Sequence, residues 1–212
     1  MSGGERSADV VIVGGGPAGA MCALLLSQRL EVVLVEQRHV GWAKPCGGLL
    51  TRPAQQALSG LPAAPESVVA APETLGLRIQ DQDNRLSVEY PDRLVNLERG
   101  RFESWLIDSA HAPDGLTVLE GMRARSITVD AGGATVRAVS RERETLLRAG
   151  TVIAADGVMS ATRRRLGIAP IGIVRAVQYE FTERSAVDEA AFVFVRILIL
   201  LVTTHTQIIS GS

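Results

Sequence analysis

The sequence predicts an α/β protein in which a parallel sheet flanked by helices is joined to a smaller, partial antiparallel β part. Two short β-branched runs, Val10–Val13 and Val32–Val35, are apolar without alternation, as in strands buried on both faces of a parallel sheet. A glycine-rich turn and a helical stretch connect them into one strand–helix–strand unit. Further on, Leu75, Leu77 and Ile79, then Leu86, Val88 and Tyr90, alternate with polar or small residues on either side of D-Q-D-N, the pattern of a hairpin with one buried face.

Within the first unit, Gly14, Gly16 and Gly19 fall at G-x-G-x-x-G spacing. The first permits a tight turn, the second keeps side chains away from an approaching diphosphate, and the third lets helix and strand pack closely. Pro17 and Ala18 open the helix, where a missing proline N–H is no loss and the remaining N–H groups and positive dipole end face the phosphates. Ala20, Met21, Ala23, Leu24 and Leu25 give that helix its apolar face. Glu36 closes the second strand, where a carboxylate accepts hydrogen bonds from ribose hydroxyls and disfavours a 2′-phosphate. Gln37 and Arg38 follow it in the candidate cofactor-binding set. Strand, turn, helix, second strand and terminal acid together make this a Rossmann-like dinucleotide-binding unit, which the glycine spacing alone would not establish.

Composition narrows the rest. A chain of 212 residues is one large domain or a domain and a half, long enough to bury a sizeable core. The net charge of −1, with no sustained basic patch, argues against nucleic acid as the main partner. The only cysteines are Cys22 and Cys46, so no disulfide framework is predicted and a reducing cytoplasm is the simplest compartment. The N-terminal M-S-G-G-E-R-S-A-D is polar, leads into the first strand and contains no signal-peptide apolar region. His39, His111 and His205 lack companions at ligand spacing, so no metal site is predicted.

Residues 38–50 read as a glycine-rich loop leading into a helix near Pro53. Such a loop leaves the carboxyl end of a parallel strand, where these folds place ligands. Cys46, followed by Gly47 and Gly48, puts a thiol on backbone that can approach a flat ring; a surface loop with an incidental cysteine is the other reading. The alanine- and proline-rich residues 60–73 read as a connection to the hairpin. From Glu98 to Ala112 the pattern turns helical, with Phe102, Leu106 and Ala110 at i, i+4. Arg99 opens that helix at an end that does not favour a cation, so it is either solvated or reaches an anion.

Val118 and Leu119 read as a strand, and Ile127–Val129, Thr135–Val139 and Leu146–Arg148 as an antiparallel meander turning at Gly132-Gly133. Thr151–Ala155 returns to parallel-strand composition and ends in Asp156-Gly157. Ser160, Arg163, Arg164 and Arg165 then open a short helix; Arg164 and Arg165 read as a solvated face, and Arg163 as a candidate phosphate or cofactor contact. The late apolar run Ala190–Val202 has thirteen residues and is interrupted by Arg196, short of the ~18–20 needed to span a membrane as a helix. Its β-branched content predicts a strand.

V-I-V-G-G-G-P-A-G with Glu36, the R-x-x-F-E-x-W-L helix at Arg99 to Leu106, and A-D-G-V-M-S-A-T-R at Ala155 to Arg163 together resemble the three signatures of FAD-dependent oxidoreductases of the para-hydroxybenzoate hydroxylase structural class. The K-P-C-G-G loop at Lys44 to Gly48 resembles the geranylgeranyl reductase branch, which reduces isoprenoid double bonds. The likeness runs from about residue 8 to Phe181. It implies that the glycines and Glu36 hold the ADP half of FAD, that Arg99 contacts the cofactor, and that Asp156, with Gly157, Ser160 and Arg163, lies beside the ribityl-diphosphate region. It implies Cys46 near the isoalloxazine as the catalytic candidate, NAD(P)H or another reductant as electron donor, and an isoprenoid lipid substrate bringing peripheral membrane contact.

The chain departs from the family in two places. Ala154-Ala155-Asp156-Gly157 stands where the family has G-A-D-G, which would crowd the turn slightly. After Val177–Phe181 the family's substrate-domain motifs and second, G-D-A-type cofactor segment do not follow, so the resemblance implies a C-terminally incomplete relative with weakly held FAD. An FAD-dependent aromatic monooxygenase would share the three cofactor signatures, and a truncated, non-catalytic FAD-binding remnant is the reading from a different class. The expected division is a discontinuous FAD-binding domain over 8–60 and 98–170, and a partial substrate domain over 61–97 and 171–212.

Overall fold

The computed structural model describes residues 4–42, 44–81, 83–110, 115–169, 172 and 191–196. In chain order its elements are β1 (Gly4–Val13), α1 (Pro17–Leu26), β2 (Val32–Val35), β3 (Leu49–Leu50), α2 (Arg52–Leu58), β4 (Val69–Asp81), β5 (Leu86–Leu97), α3 (Arg99–Ser109), β6 (Leu116–Leu119), β7 (Arg123–Asp130), β8 (Gly133–Val139), β9 (Glu144–Ala154), α4 (Ala161–Arg165) and β10 (Ala191–Arg196). They divide into two compact units, 1–42 with 103–172 and 43–102 with 173–212.

The first unit is built on a sheet of order β6-β2-β1-β9-β8-β7. β6, β2, β1 and β9 run parallel; β8 and β7 continue antiparallel beyond β9. Val10, Val11, Ile12 and Val13 of β1 and all four residues of β2 are buried, as their unbroken apolar composition requires of central parallel strands. Residues of one pleat face, among them Val11, Val13, Val33 and Val35, join Leu119, Met122, Val136, Ala138 and Leu147 in one core cluster. On the helical side, Ala20, Ala23 and Leu24 of α1 are buried, and the Ser27 hydroxyl donates to the Ala110 carbonyl at 2.8 Å, tying α1 to the segment after α3. The α/β class with a parallel sheet and a small antiparallel one is as the sequence predicts.

Several elements run longer than the sequence pattern predicts, β1 and β9 most tellingly. β1 begins at Gly4, so the polar Glu5–Asp9 stretch is strand rather than a lead-in. The expected meander strand at 146–148 and parallel strand at 151–155 are one element, β9, paired antiparallel with β8 from Glu144 to Ala149 and parallel with β1 from Thr145 to Ala154. Backbone pairing carries both extensions, and no apolar pattern is needed where the side chains stay exposed.

The second unit is a sheet of order β10-β4-β5-β3. β4 and β5 form the expected hairpin, longer than its alternating core, with register shifts between Val69 and Thr74 and between Leu75 and Leu77. Its apolar face is not buried: Leu86, Val88 and Tyr90 are 61%, 56% and 49% exposed. β3 pairs antiparallel with β5, which places the C-G-G loop with the hairpin sheet, whereas the sequence reading assigns 43–60 to the nucleotide part. β10 adds to β4 in parallel, Ala191 opposite Gly76. The remainder of the apolar run at 197–202, and Val177–Phe181, lie outside the described residues.

Candidate functional site

The glycine turn sits at the carboxyl end of β1. Gly14 has φ +106°, and a Cβ there would overlap the Ala155 carbonyl oxygen, so both conformation and space demand glycine. A Cβ at Gly19 would overlap the Gly14 carbonyl oxygen, while one at Gly16 would meet nothing within 4 Å. Gly16 therefore borders open space beside the start of α1. Pro17 occupies the first helical turn, and no side chain caps the helix, so its leading N–H groups remain directed outward. An open cradle that a side chain would fill, facing an uncapped helix end, fits the diphosphate of a dinucleotide.

Glu36 lies at the end of the neighbouring strand. Its Oε2 accepts the Gly15 N–H at 2.6 Å and its Oε1 the Arg38 N–H at 2.9 Å. The carboxylate is thus fixed against the glycine turn, with each oxygen retaining lone-pair capacity for a ribose hydroxyl. Gln37 is exposed. The Arg38 guanidinium lies 3.5 Å from the centroid of the Trp42 ring. Glu120 holds the same loop: it accepts the Val40 N–H at 3.1 Å and pairs with His39 Nδ1 at 3.2 Å.

The D-G turn ends β9 on the other side of β1. The Ala155 N–H donates to the Val13 carbonyl at 2.8 Å, which locks this strand end to the glycine turn. Asp156 Oδ2 accepts the Thr162 N–H at 3.0 Å and the Thr162 hydroxyl at 3.1 Å. Burial pushes the Asp156 carboxyl up, but hydrogen bonds from Ser160 and Thr162 outweigh it and hold the group below its ordinary 3.8. Ser160 caps α4 by accepting the Arg163 N–H at 2.8 Å. Gly157 has φ +76°, which permits the turn. Arg163 Nη2 donates to the Val158 carbonyl at 2.7 Å, and its Nε is buried without a partner. Arg164 donates to the Met159 carbonyl at 2.6 Å, and Arg165 to the Arg125 carbonyl, so both exposed cations have backbone partners.

In the second unit, Arg99 Nη1 donates to the Cys46 sulfur at 3.0 Å. The sequence left Arg99 either solvated or reaching an anion; it reaches the thiol. Gly48 has φ +65°, a Cβ there would overlap the Leu97 carbonyl oxygen, and the Leu97 N–H donates to the Gly48 carbonyl at 2.8 Å. The loop is therefore stitched to the end of β5, just before α3, and this brings Cys46 and Arg99 together.

Sequence reasoning passed over Gly15, Trp42 and Thr162. Gly15 and Thr162 lie inside motifs already singled out, so the question of what donates to Glu36 and Asp156 would have found them. The four-residue interval from Arg38 to Trp42 lies in a loop and belongs to no period. A recess of about 380 Å³, lined by Arg6, Ser7, Glu31, Gly115 and Thr117 among others, opens at the amino ends of the parallel strands. Ligands of open α/β sheets bind at the carboxyl ends, so this recess is not the cofactor site.

A family model described as an FAD binding domain matches residues 7–197. Protein CbrA of Escherichia coli K12 is 30% identical over 197 residues, 88% of this chain and 54% of CbrA, so the chain spans about half the length of the curated relatives it matches. Among solved structures, a geranylgeranyl bacteriochlorophyll reductase-like protein from Thermoplasma acidophilum superposes with TM-score 0.66 at 27% identity, over 77% of this chain and 43% of that one. p-Nitrophenol 4-monooxygenase PnpA from Pseudomonas putida DLL-E4 superposes with TM-score 0.63 at 20% identity, over 77% and 44%, a likeness of fold.

Proposed function

Because the chain belongs to the FAD binding domain family, with FAD as its cofactor, we propose that it acts in a flavin-dependent oxidoreductase of the geranylgeranyl reductase type, reducing an isoprenoid carbon–carbon double bond. The observation that carries this reading is the K-P-C-G-G loop, whose thiol is held by Arg99 at 3.0 Å. The 27% identity to the Thermoplasma reductase-like protein supports it. FAD, when bound and reduced by NAD(P)H or another donor, supplies the hydride.

This chain's residues supply binding and orientation. The Gly16 backbone and the first turn of α1 hold the diphosphate, Glu36 takes the ribose hydroxyls, and the D-G turn at Asp156-Gly157, with Ser160 and Arg163, borders the remaining diphosphate and ribityl portion. Cys46 is the candidate for substrate contact, and Arg99 fixes its sulfur. A lipid substrate would bring the protein to a membrane surface peripherally. No helix among the described residues is long and apolar enough to cross a membrane.

The test is the visible spectrum of the purified chain, the mass of its released cofactor, and the response of the bound flavin to added ligands. The expected outcome is FAD whose spectrum shifts with a geranylgeranyl compound, a shift that Cys46→Ser alters while FAD content holds. A shift with a phenol instead, with NAD(P)H-dependent oxygen uptake and hydroxylated product, would replace this reading with an aromatic monooxygenase.

A further inference from the structure

We propose that the exposed edge of β5 pairs with the same edge of a second copy of this chain, Leu86–Tyr90 running antiparallel to Leu86–Tyr90 with Val88 opposite itself. The pairing involves the second unit alone and needs no bound cofactor. In the sheet order β10-β4-β5-β3, β5 has a long partner on one side only. β3 meets it at Val95 and Asn96, so among the described residues no strand lies along the second side of Leu86–Leu94. An open edge presents backbone N–H and C=O groups as a template for another strand. Both ends of this stretch are unsuited to pairing. Arg85, with φ +51°, departs from strand geometry just before Leu86. At the other end Tyr90 faces Leu77 but Leu94 faces Leu75, so Pro91, Asp92 and Arg93 bulge opposite Gly76. Pro91 has no N–H to give, Asp92 accepts from Arg52 at 3.0 Å, and Arg93 donates to the Thr74 hydroxyl at 2.9 Å. Prolines and bulges are the devices that keep edge strands from pairing. Here they protect the strand beyond Tyr90 and leave Leu86–Tyr90 open.

The residues on this edge select a second copy and a register. Outward-pointing backbone groups alternate along a strand, so two antiparallel copies exchange hydrogen bonds only when residues of the same parity stand opposite. With Val88 opposite Val88, all five residues pair. Leu86 faces Tyr90 of the second copy, and the three apolar side chains of each copy, 61%, 56% and 49% exposed, align on one face as cross-strand pairs. Ser87 faces Glu89, whose carboxylate accepts from its own Arg78 Nε at 2.8 Å and has lone pairs left for the serine hydroxyl. The neighbouring registers are poorer. Centring on Ser87 leaves only Leu86–Val88 paired, and centring on Glu89 sets two carboxylates opposite one another and draws on Pro91. A two-fold axis through Val88 makes the contact isologous, which closes it at two copies.

A five-residue edge makes a small interface, so the pairing is expected to reverse on dilution. Light scattering across a concentration series should show the mass rising from the 22.5 kDa of one chain to twice that value and no further. Hydrogen exchange of the wild-type chain, read by mass spectrometry at both ends of that series, should slow on association in the peptide containing Leu86–Tyr90. Single cysteines test the register. Under mild oxidation Val88→Cys is expected to cross-link to itself, because directly opposite residues of an antiparallel pair lie within disulfide reach. Leu86→Cys and Tyr90→Cys should cross-link to each other when mixed and far less when alone, with the wild type and its Cys22 and Cys46 as the background. A chain that stays monomeric throughout the series, or grows past two copies, overturns the pairing. Association without slowed exchange at Leu86–Tyr90 also overturns it, since the copies would then meet through sheet faces, and equal cross-linking at all three positions overturns the register.

Discussion

A Cβ at Gly16 would enter open space, whereas one at Gly19 would overlap the Gly14 carbonyl oxygen, so one motif contains two kinds of glycine. Gly16→Val is expected to fold with an unfolding midpoint close to wild type and to lose FAD, because its side chain fills the diphosphate approach. Gly19→Ala should instead destabilise the ligand-free chain by about 1–3 kcal/mol through overpacking, measurable by denaturant titration. Retention of FAD by Gly16→Val would count against the cradle. Glu36→Ala removes a charged acceptor and should weaken FAD binding by about 1–3 kcal/mol in calorimetry. The spacing of these glycines and their separate roles were readable from the sequence; that a side chain at Gly14 would meet the Ala155 carbonyl was not, because that group arrives from a strand far along the chain. Asp156 adds a pH dependence. Its folded value lies below the ordinary 3.8, so the stability it contributes is complete above that value and is lost as pH falls through the lower folded one. Asp156→Asn should therefore flatten the acid limb of the unfolding midpoint below about pH 4, and an unchanged acid limb would remove Asp156 from the account.

Elements were legible where burial imposed a pattern and illegible where backbone pairing alone made them. β2, with four buried β-branched or aliphatic residues, was read to the residue, and α3 was found from Phe102, Leu106 and Ala110, all buried. The polar start of β1 pairs Gly4 to Ala8 with Thr145 to Ala149, a ladder that leaves no mark in hydropathy. β3 is two residues long and gains its identity from Asn96 and Val95 opposite it. That short pairing ties the Cys46 loop to the hairpin sheet, so the K-P-C-G-G loop was legible in the sequence as a motif without a place. α4 shows the opposite case, since the short helix expected to open at Ser160 forms over Ala161–Arg165, and the structure adds Ser160 as its cap. Ser160→Ala removes the cap and one of the hydrogen bonds that hold down the Asp156 carboxyl. It is expected to cost about 0.5–2 kcal/mol and to raise the Asp156 titration toward its ordinary value, which carbon-detected NMR of the carboxyl would follow.

Across the whole chain, apolar surface is unevenly disposed between the units. The first closes around a continuous core running from Val11 to Leu147 across five strands. The second carries the β4–β5 hairpin, where Ile79 faces Val88 and Leu77 faces Tyr90 across the ladder. Leu86, Val88 and Tyr90 alternate with Ser87 and Glu89, so they share one side of β5 and form a contiguous apolar stripe at 61%, 56% and 49% exposure. The opposite side is charged, with Arg78 paired to Glu89. Single exposed apolar residues are ordinary, but a stripe of aligned ones on a sheet favours association. The 212-residue chain is therefore expected to self-associate at micromolar concentration, with light scattering after gel filtration showing a mass above the 22.5 kDa of a monomer. Leu86→Lys with Val88→Lys places two cations on that stripe without disturbing a buried contact, and it should return the chain to a monomer with FAD content unchanged. A wild-type chain that is monomeric at those concentrations, or a double-lysine variant that associates as strongly, would show that the hairpin face does not drive assembly.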